Sequence, residues 1–133
     1  MTELRHLPVE LTDTQRANLA RLADYLETVP QSAFDMESFE EETDCGTVAC
    51  AVGHGPAAGF PKPVLEAWTS YSSREFAPDS PAWDWCFFGR WSETDNTPQG
   101  AAARIRYMLE HGVPENYEEQ MCGDEPLSYE VTA

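Results

Sequence analysis

Cys45, Cys50 and His54 are the side chains of this sequence whose types and spacing come nearest to a metal site. Two thiolates and an imidazole supply three ligands of a tetrahedral zinc site, with Cys86 or Cys122 as a fourth. Cys50 and His54 stand four apart, so a helix would carry both on one face. Against this, the Cys-x4-Cys spacing is wider than structural zinc sites use, and no second close cysteine pair exists. A free cysteine also packs well as a small hydrophobe. The chain is therefore read without a cofactor, with zinc on Cys45, Cys50 and His54 as the alternative. The same residues suggest a second chemistry. Cys45 precedes an expected helix N-terminus, where the dipole favours thiolate, and His6, His54 or His111 offers a base. The acids at 40–42 and 44 oppose that effect, so a small thiol enzyme is a further alternative and the chain is read as non-enzymatic.

Carboxylates are the other chemistry on offer. There are 24 Asp and Glu against 8 Lys and Arg, a formal charge of −16. With so many acids no acid–base dyad can be picked out by spacing. Two groups are dense and free of cations: Asp35, Glu37, Glu40, Glu41, Glu42 and Asp44, then Glu115, Glu118, Glu119, Asp124 and Glu125. Such a field repels nucleic acid and anionic lipid and attracts basic protein surfaces. If the fold unites the two groups, the face they form can occupy a groove built for a phosphate backbone. The plain alternative is a solvated surface that only keeps the protein in solution. Gly53-His54-Gly55 lacks the rest of a dinucleotide fingerprint, and no basic patch with interleaved aromatics favours nucleic-acid binding. Arg104 and Arg106, the one close basic pair, are expected to serve the chain's own carboxylates.

The elements that must position these groups are mostly helical. A chain of 133 residues that is 41% apolar suits one folded domain, 1–133, and no apolar run nears the ~20 residues of a bilayer span. No secretory signal is visible at the N-terminus, so a cytoplasmic protein with reduced thiols is expected. Residues 1–11 read as a strap docked by Leu4, Leu7, Val9 and Leu11. Thr12 with Gln15 forms a capping box, and Leu19, Leu22, Ala23 and Leu26 give a helix ending near Thr28. Residues 30–44 read as an acidic loop pinned by Phe34, Met36 and Phe39. Cys45–Gly55 is small and apolar, so a short buried central helix is expected over 48–54, with a buried strand as the alternative. A third helix is expected from Val64 to about Tyr71, with Val64, Leu65 and Trp68 inward. Ser80-Pro81 opens a fourth through Phe88, stopped by Gly89. Trp83, Trp85, Phe87, Phe88 and Trp91 supply the aromatic core. Thr97-Pro98 opens the last clear helix, which Gly112 closes, and 115–133 reads as a partly ordered acidic tail. The expected fold is mainly α, a single compact domain of about five helices around the central one.

Two stretches carry a resemblance. Cys45-Gly46-Thr47-Val48-Ala49-Cys50-Ala51-Val52-Gly53-His54 resembles the Cys-Gly-Thr-x-x-Cys-x-x-Gly segment of a group of small uncharacterised bacterial and phage proteins. Trp83-Asp84-Trp85, followed by Asp95-Asn96-Thr97-Pro98-Gln99-Gly100-Ala101-Ala102, is similar to a second segment of the same group. The resemblance transfers no catalytic residue. It implies a phage or mobile-element setting, in which small acidic proteins often antagonise host machinery that handles nucleic acid. The functional expectation is a DNA-mimicking, anti-CRISPR-like inhibitor. It binds a basic protein surface, such as a host nuclease or defence complex, and touches neither nucleic acid nor membrane.

Overall fold

The computed structural model describes residues 4–38, 41–43 and 46–131. The first helix, α1 (Asp13–Leu26), begins where the capping box requires. Thr12 Oγ1 accepts from the Gln15 N–H and Gln15 Oε1 accepts from the Thr12 N–H, both at 3.0 Å. A cap of this kind contributes about 1 kcal/mol. Leu19, Leu22, Ala23 and Leu26 are fully buried, as the helical spacing demands. Ahead of α1, Leu7, Val9 and Leu11 pack against the core while Leu4 stays exposed.

The chain next takes a 3₁₀ turn, Gln31–Ala33, and an antiparallel hairpin of β2 (Glu41–Thr43) and β3 (Gly46–Val48). The central helix expected over 48–54 is absent: the segment enters as β3 and continues as successive turns through residue 59. Its apolar residues are buried as expected, with Ala49, Cys50, Ala51 and Val52 all inside. Its backbone, however, finds partners elsewhere. Ala49 N–H donates to Ala33 C=O (3.1 Å), Asp35 N–H to Ala49 C=O (3.0 Å) and Cys50 N–H to Ser38 C=O (2.7 Å). Those cross-chain bonds replace the helical ladder and bind the acidic loop to the core.

Helix α2 (Trp68–Glu75) starts four residues later than the sequence suggests. Val64 and Leu65, expected inward, stand out in water at 93% and 98% exposure. They occupy the tip of a turn closed by Glu66 N–H on Pro63 C=O. Helix α3 (Ala82–Phe87) follows, one residue shorter at each end than expected, and a 3₁₀-helix, Gly89–Glu93, continues from it. Trp85, Phe87 and Trp91 are buried and Trp83 half-buried, but Phe88, also expected in the core, is 42% exposed.

Helix α4 (Pro98–His111) packs along α1 and carries the largest buried face. Thr97 caps it, accepting from Gly100 N–H at 2.9 Å. Gly112 closes it at φ +89°, where a Cβ would lie 2.7 Å from the Leu7 carbonyl oxygen. This close approach lets β1 (His6–Leu7) pair antiparallel with β4 (Val113–Pro114). The acidic tail is helical, with α5 (Tyr117–Met121) and α6 (Ser128–Val131). The result is a mainly α fold, and one core cluster runs from Leu19 to Tyr129. Among the described residues no helix is long and apolar enough to cross a membrane.

Candidate functional site

Cys50 and Cys86 are committed to the interior, His54 is half-buried, and Cys122 is exposed at the end of α5. Cys50 is buried beside the Gly53 N–H (3.5 Å), and burial pushes its thiol up to about 11. Cys86 is fully buried, 3.6 Å from Met108 Sδ, and burial pushes it up to about 12. Thiols held protonated at neutral pH are neither nucleophiles nor ready metal ligands. His54 stacks on Phe34, and burial lowers its pKa, so the ring is neutral at pH 7. Its Nε2–H then donates to the Ala33 carbonyl at 2.8 Å. Cys45 lies outside the described residues. Among the described residues no three His, Cys, Asp or Glu side chains converge as a metal would need. His6, the other candidate base, bonds Tyr107 Oη at 2.6 Å, while His111 is exposed near Glu110.

The acid groups divide by role. Asp35 is half-buried, and its Oδ1 accepts from the Glu37 N–H (3.0 Å) and Asn96 Nδ2 (3.3 Å), so it staples the loop. Asn96 Oδ1 also accepts from the Met36 N–H at 2.7 Å. The Asp95–Ala102 stretch thereby acts as an anchor for the first acid group. Glu37 is exposed. Glu41 and Glu42 lie on β2 of the hairpin, whereas Glu40 and Asp44 fall outside the described residues. In the tail, Glu115, Glu118, Glu119, Asp124 and Glu125 are all exposed. The turn after α5 folds back on itself, with the Asp124 and Glu125 N–H groups both donating to Glu119 C=O (2.8 and 3.3 Å).

The 3₁₀-helix Gly89–Glu93 is where the two groups meet. The loop passes close to it, since a Cβ on Gly89 would lie 3.3 Å from the Met36 carbonyl oxygen. On the other side, Thr94 Oγ1 donates to Met121 C=O at the end of α5. Glu37, Phe88, Arg90, Ser92 and Glu93 line an open depression. Asp84, Phe88, Arg90, Tyr117, Glu118 and Met121 line a neighbouring cleft of about 280 Å³. Phe88 and Arg90 belong to both, so the depression that holds Glu37 of the loop and the cleft that holds Glu118 of the tail share a wall. Burial, followed by the carboxylates of Asp84 and Glu118, raises the Tyr117 phenol. Arg90 is half-exposed, and its one ion pair among the described residues is with Glu93, at 3.7 Å.

The chain's other cations lie mainly with partners of their own. Arg106 bonds Asp24 (2.7 Å) on α1 and Glu27 at its C-terminal cap, and Arg74 grips Glu66 through two nitrogens (3.1 and 2.6 Å). Arg104 is fully buried, 3.6 Å from Asp95 Oδ2 and 2.9 Å from Tyr129 Oη, with its guanidinium 4.4 Å from the Trp91 ring centroid. Tyr129 Oη donates in turn to Asp95 Oδ2 at 2.7 Å. Asp95 is seated against Gly100, where any Cβ would strike its carboxylate at 2.1 Å. Sequence reasoning placed Arg104 and Arg106 with internal carboxylates and was right for both. It missed Phe88 and Arg90 as the junction of the acid groups. The only signal was a phenylalanine directly ahead of a glycine stop, which an aromatic-rich run disguised. Compared with protein-family models, with curated proteins and with solved structures, the chain matches none.

Proposed function

We propose that this is a non-enzymatic binding protein that docks a basic partner on the acidic face around Phe88. The sharper form is a phage or mobile-element inhibitor that occupies the nucleic-acid groove of a host nuclease or defence complex by presenting DNA-like negative charge. One observation carries the reading: Glu37 and Glu118, from acid groups far apart in the chain, line adjacent depressions in which Arg90 is the shared cation. The mobile-element setting comes from the resemblance of the Cys45–His54 and Asp95–Ala102 segments. The thiol-enzyme alternative rests on Cys45, which lies outside the described residues; Cys50 and Cys86 are buried and protonated and do not serve it.

The test is capture of partners from a host lysate at about 0.05 M and about 0.5 M salt. Screening contracts to a few ångströms at the higher value. Capture should fall steeply with salt. It should also be lost in a variant carrying Glu37→Gln, Glu118→Gln, Glu119→Gln, Asp124→Asn and Glu125→Gln. A partner retained by that variant, or bound equally at both salts, ends the proposal.

A further inference from the structure

We infer that the cleft between α3 and α5 is a receptor for a single arginine side chain of the protein partner. The inference rests on the acidic-face reading and names the contact at its centre. The cleft, at about 280 Å³, is smaller than the roughly 300–1,000 Å³ of small-molecule sites. It has room for one long side chain. Its walls combine two ring systems, Phe88 and Tyr117, with the Asp84 and Glu118 carboxylates and the Met121 side chain. A planar guanidinium uses both kinds of wall at once: its face stacks on a ring while its edge donates paired hydrogen bonds to carboxylate. An ammonium is more strongly hydrated and has no flat face to stack, so a lysine gains less there.

Two observations point to a cation from outside the chain. Among the described residues neither Asp84 nor Glu118 forms an ion pair, and the one arginine at the cleft is turned toward Glu93. The molecule also builds the same recognition inside itself. Arg104 lies over Trp91 beside Asp95, and Arg74 lies 5.6 Å from the Tyr71 centroid while gripping Glu66. The cleft repeats that ring-plus-carboxylate pattern, while its own Arg90 pairs with Glu93 and not with Asp84 or Glu118.

The experiment compares two short peptides of equal length and charge, one built on arginine and one on lysine, titrated against the full chain. The arginine peptide should bind about two- to fivefold more tightly. Phe88→Ala and, separately, Glu118→Gln should erase that preference. Both positions are exposed, so the thermal midpoint should hardly change. Asp124→Asn with Glu125→Gln, outside the cleft, should weaken both peptides alike and leave the ratio intact. Equal binding of the two peptides, or a preference that survives Phe88→Ala, overturns the cleft while leaving the acidic face standing. An arginine preference that depends on Phe88, beside lysate capture that ignores salt, supports the cleft and removes the DNA-mimic reading. Failure of both peptides to bind overturns the cleft and the acidic face together.

Discussion

The α1–α2 side of the molecule and the Phe88 side carry charge in opposite ways. On the first, Arg106 joins Asp24 and Glu27, Arg74 joins Glu66 and Glu75, and Arg21 and Lys62 lie over the rings of Phe60 and Trp68. On the second, Glu37, Glu93, Asp84 and Glu118 line two depressions that share one half-exposed Arg90. Among the described residues, Arg74 and Arg106 each pair with two carboxylates, whereas Glu37, Asp84 and Glu118 around the 3₁₀-helix and α5 form no ion pair.

The largest test of the contrast is at its compensated extreme. Arg104→Ala removes the guanidinium from Trp91 and Tyr129 and leaves the Asp95 carboxylate to the Thr97 and Tyr129 hydroxyls alone, so it should cost about 3–5 kcal/mol in urea unfolding. A loss below about 1 kcal/mol would mean that the buried pair adds little. Next, the two sides should respond to neutralisation with opposite signs. Asp24→Asn with Glu27→Gln removes both exposed partners of Arg106 and should lower stability by no more than about 1 kcal/mol. Glu118→Gln with Glu119→Gln relieves repulsion and should raise stability by a few tenths of a kcal/mol at low salt. Equal signs in the two double variants would break the comparison. The smallest effect is a pH slope. Hydrogen bonding to Arg74 holds the Glu66 carboxyl below its ordinary value of 4.5. The folded value is depressed, so the contribution is complete above about pH 4.5 and is lost as pH falls through the lower folded value. Urea midpoints measured between pH 3 and 6 should show a slope that Arg74→Gln flattens.

The parts that were legible in the sequence share one property. The Thr12–Gln15 box, the Thr97-Pro98 start and the Gly112 stop are each decided by atoms within a few residues, and all three stand where expected. Arg104 and Arg106 were also legible as internal partners, because a chain so poor in cations leaves each arginine many acids to meet. The failures share the opposite property. Ala49 and Cys50 look like helix because they are small and apolar, yet their N–H groups bond to Ala33 and Ser38 across the acidic loop. Val64 and Leu65 look like core. The Pro63–Glu66 turn precedes α2 and carries them outward, so apolarity alone did not bury them. Phe88 has the same composition as its buried neighbours and differs from them only in facing the α5 side.

The capped starts of α1 and α4, their apolar faces and the total charge follow from the sequence alone, because capping bonds and side-chain periodicity act over a single turn. Which carboxylates became neighbours was a tertiary decision. Glu37 and Glu118 lie far apart along the chain, and they reach Phe88 together only because Met36 packs against Gly89 and Met121 bonds Thr94. No spacing rule spans such a distance; the packing of the 3₁₀-helix between loop and tail does.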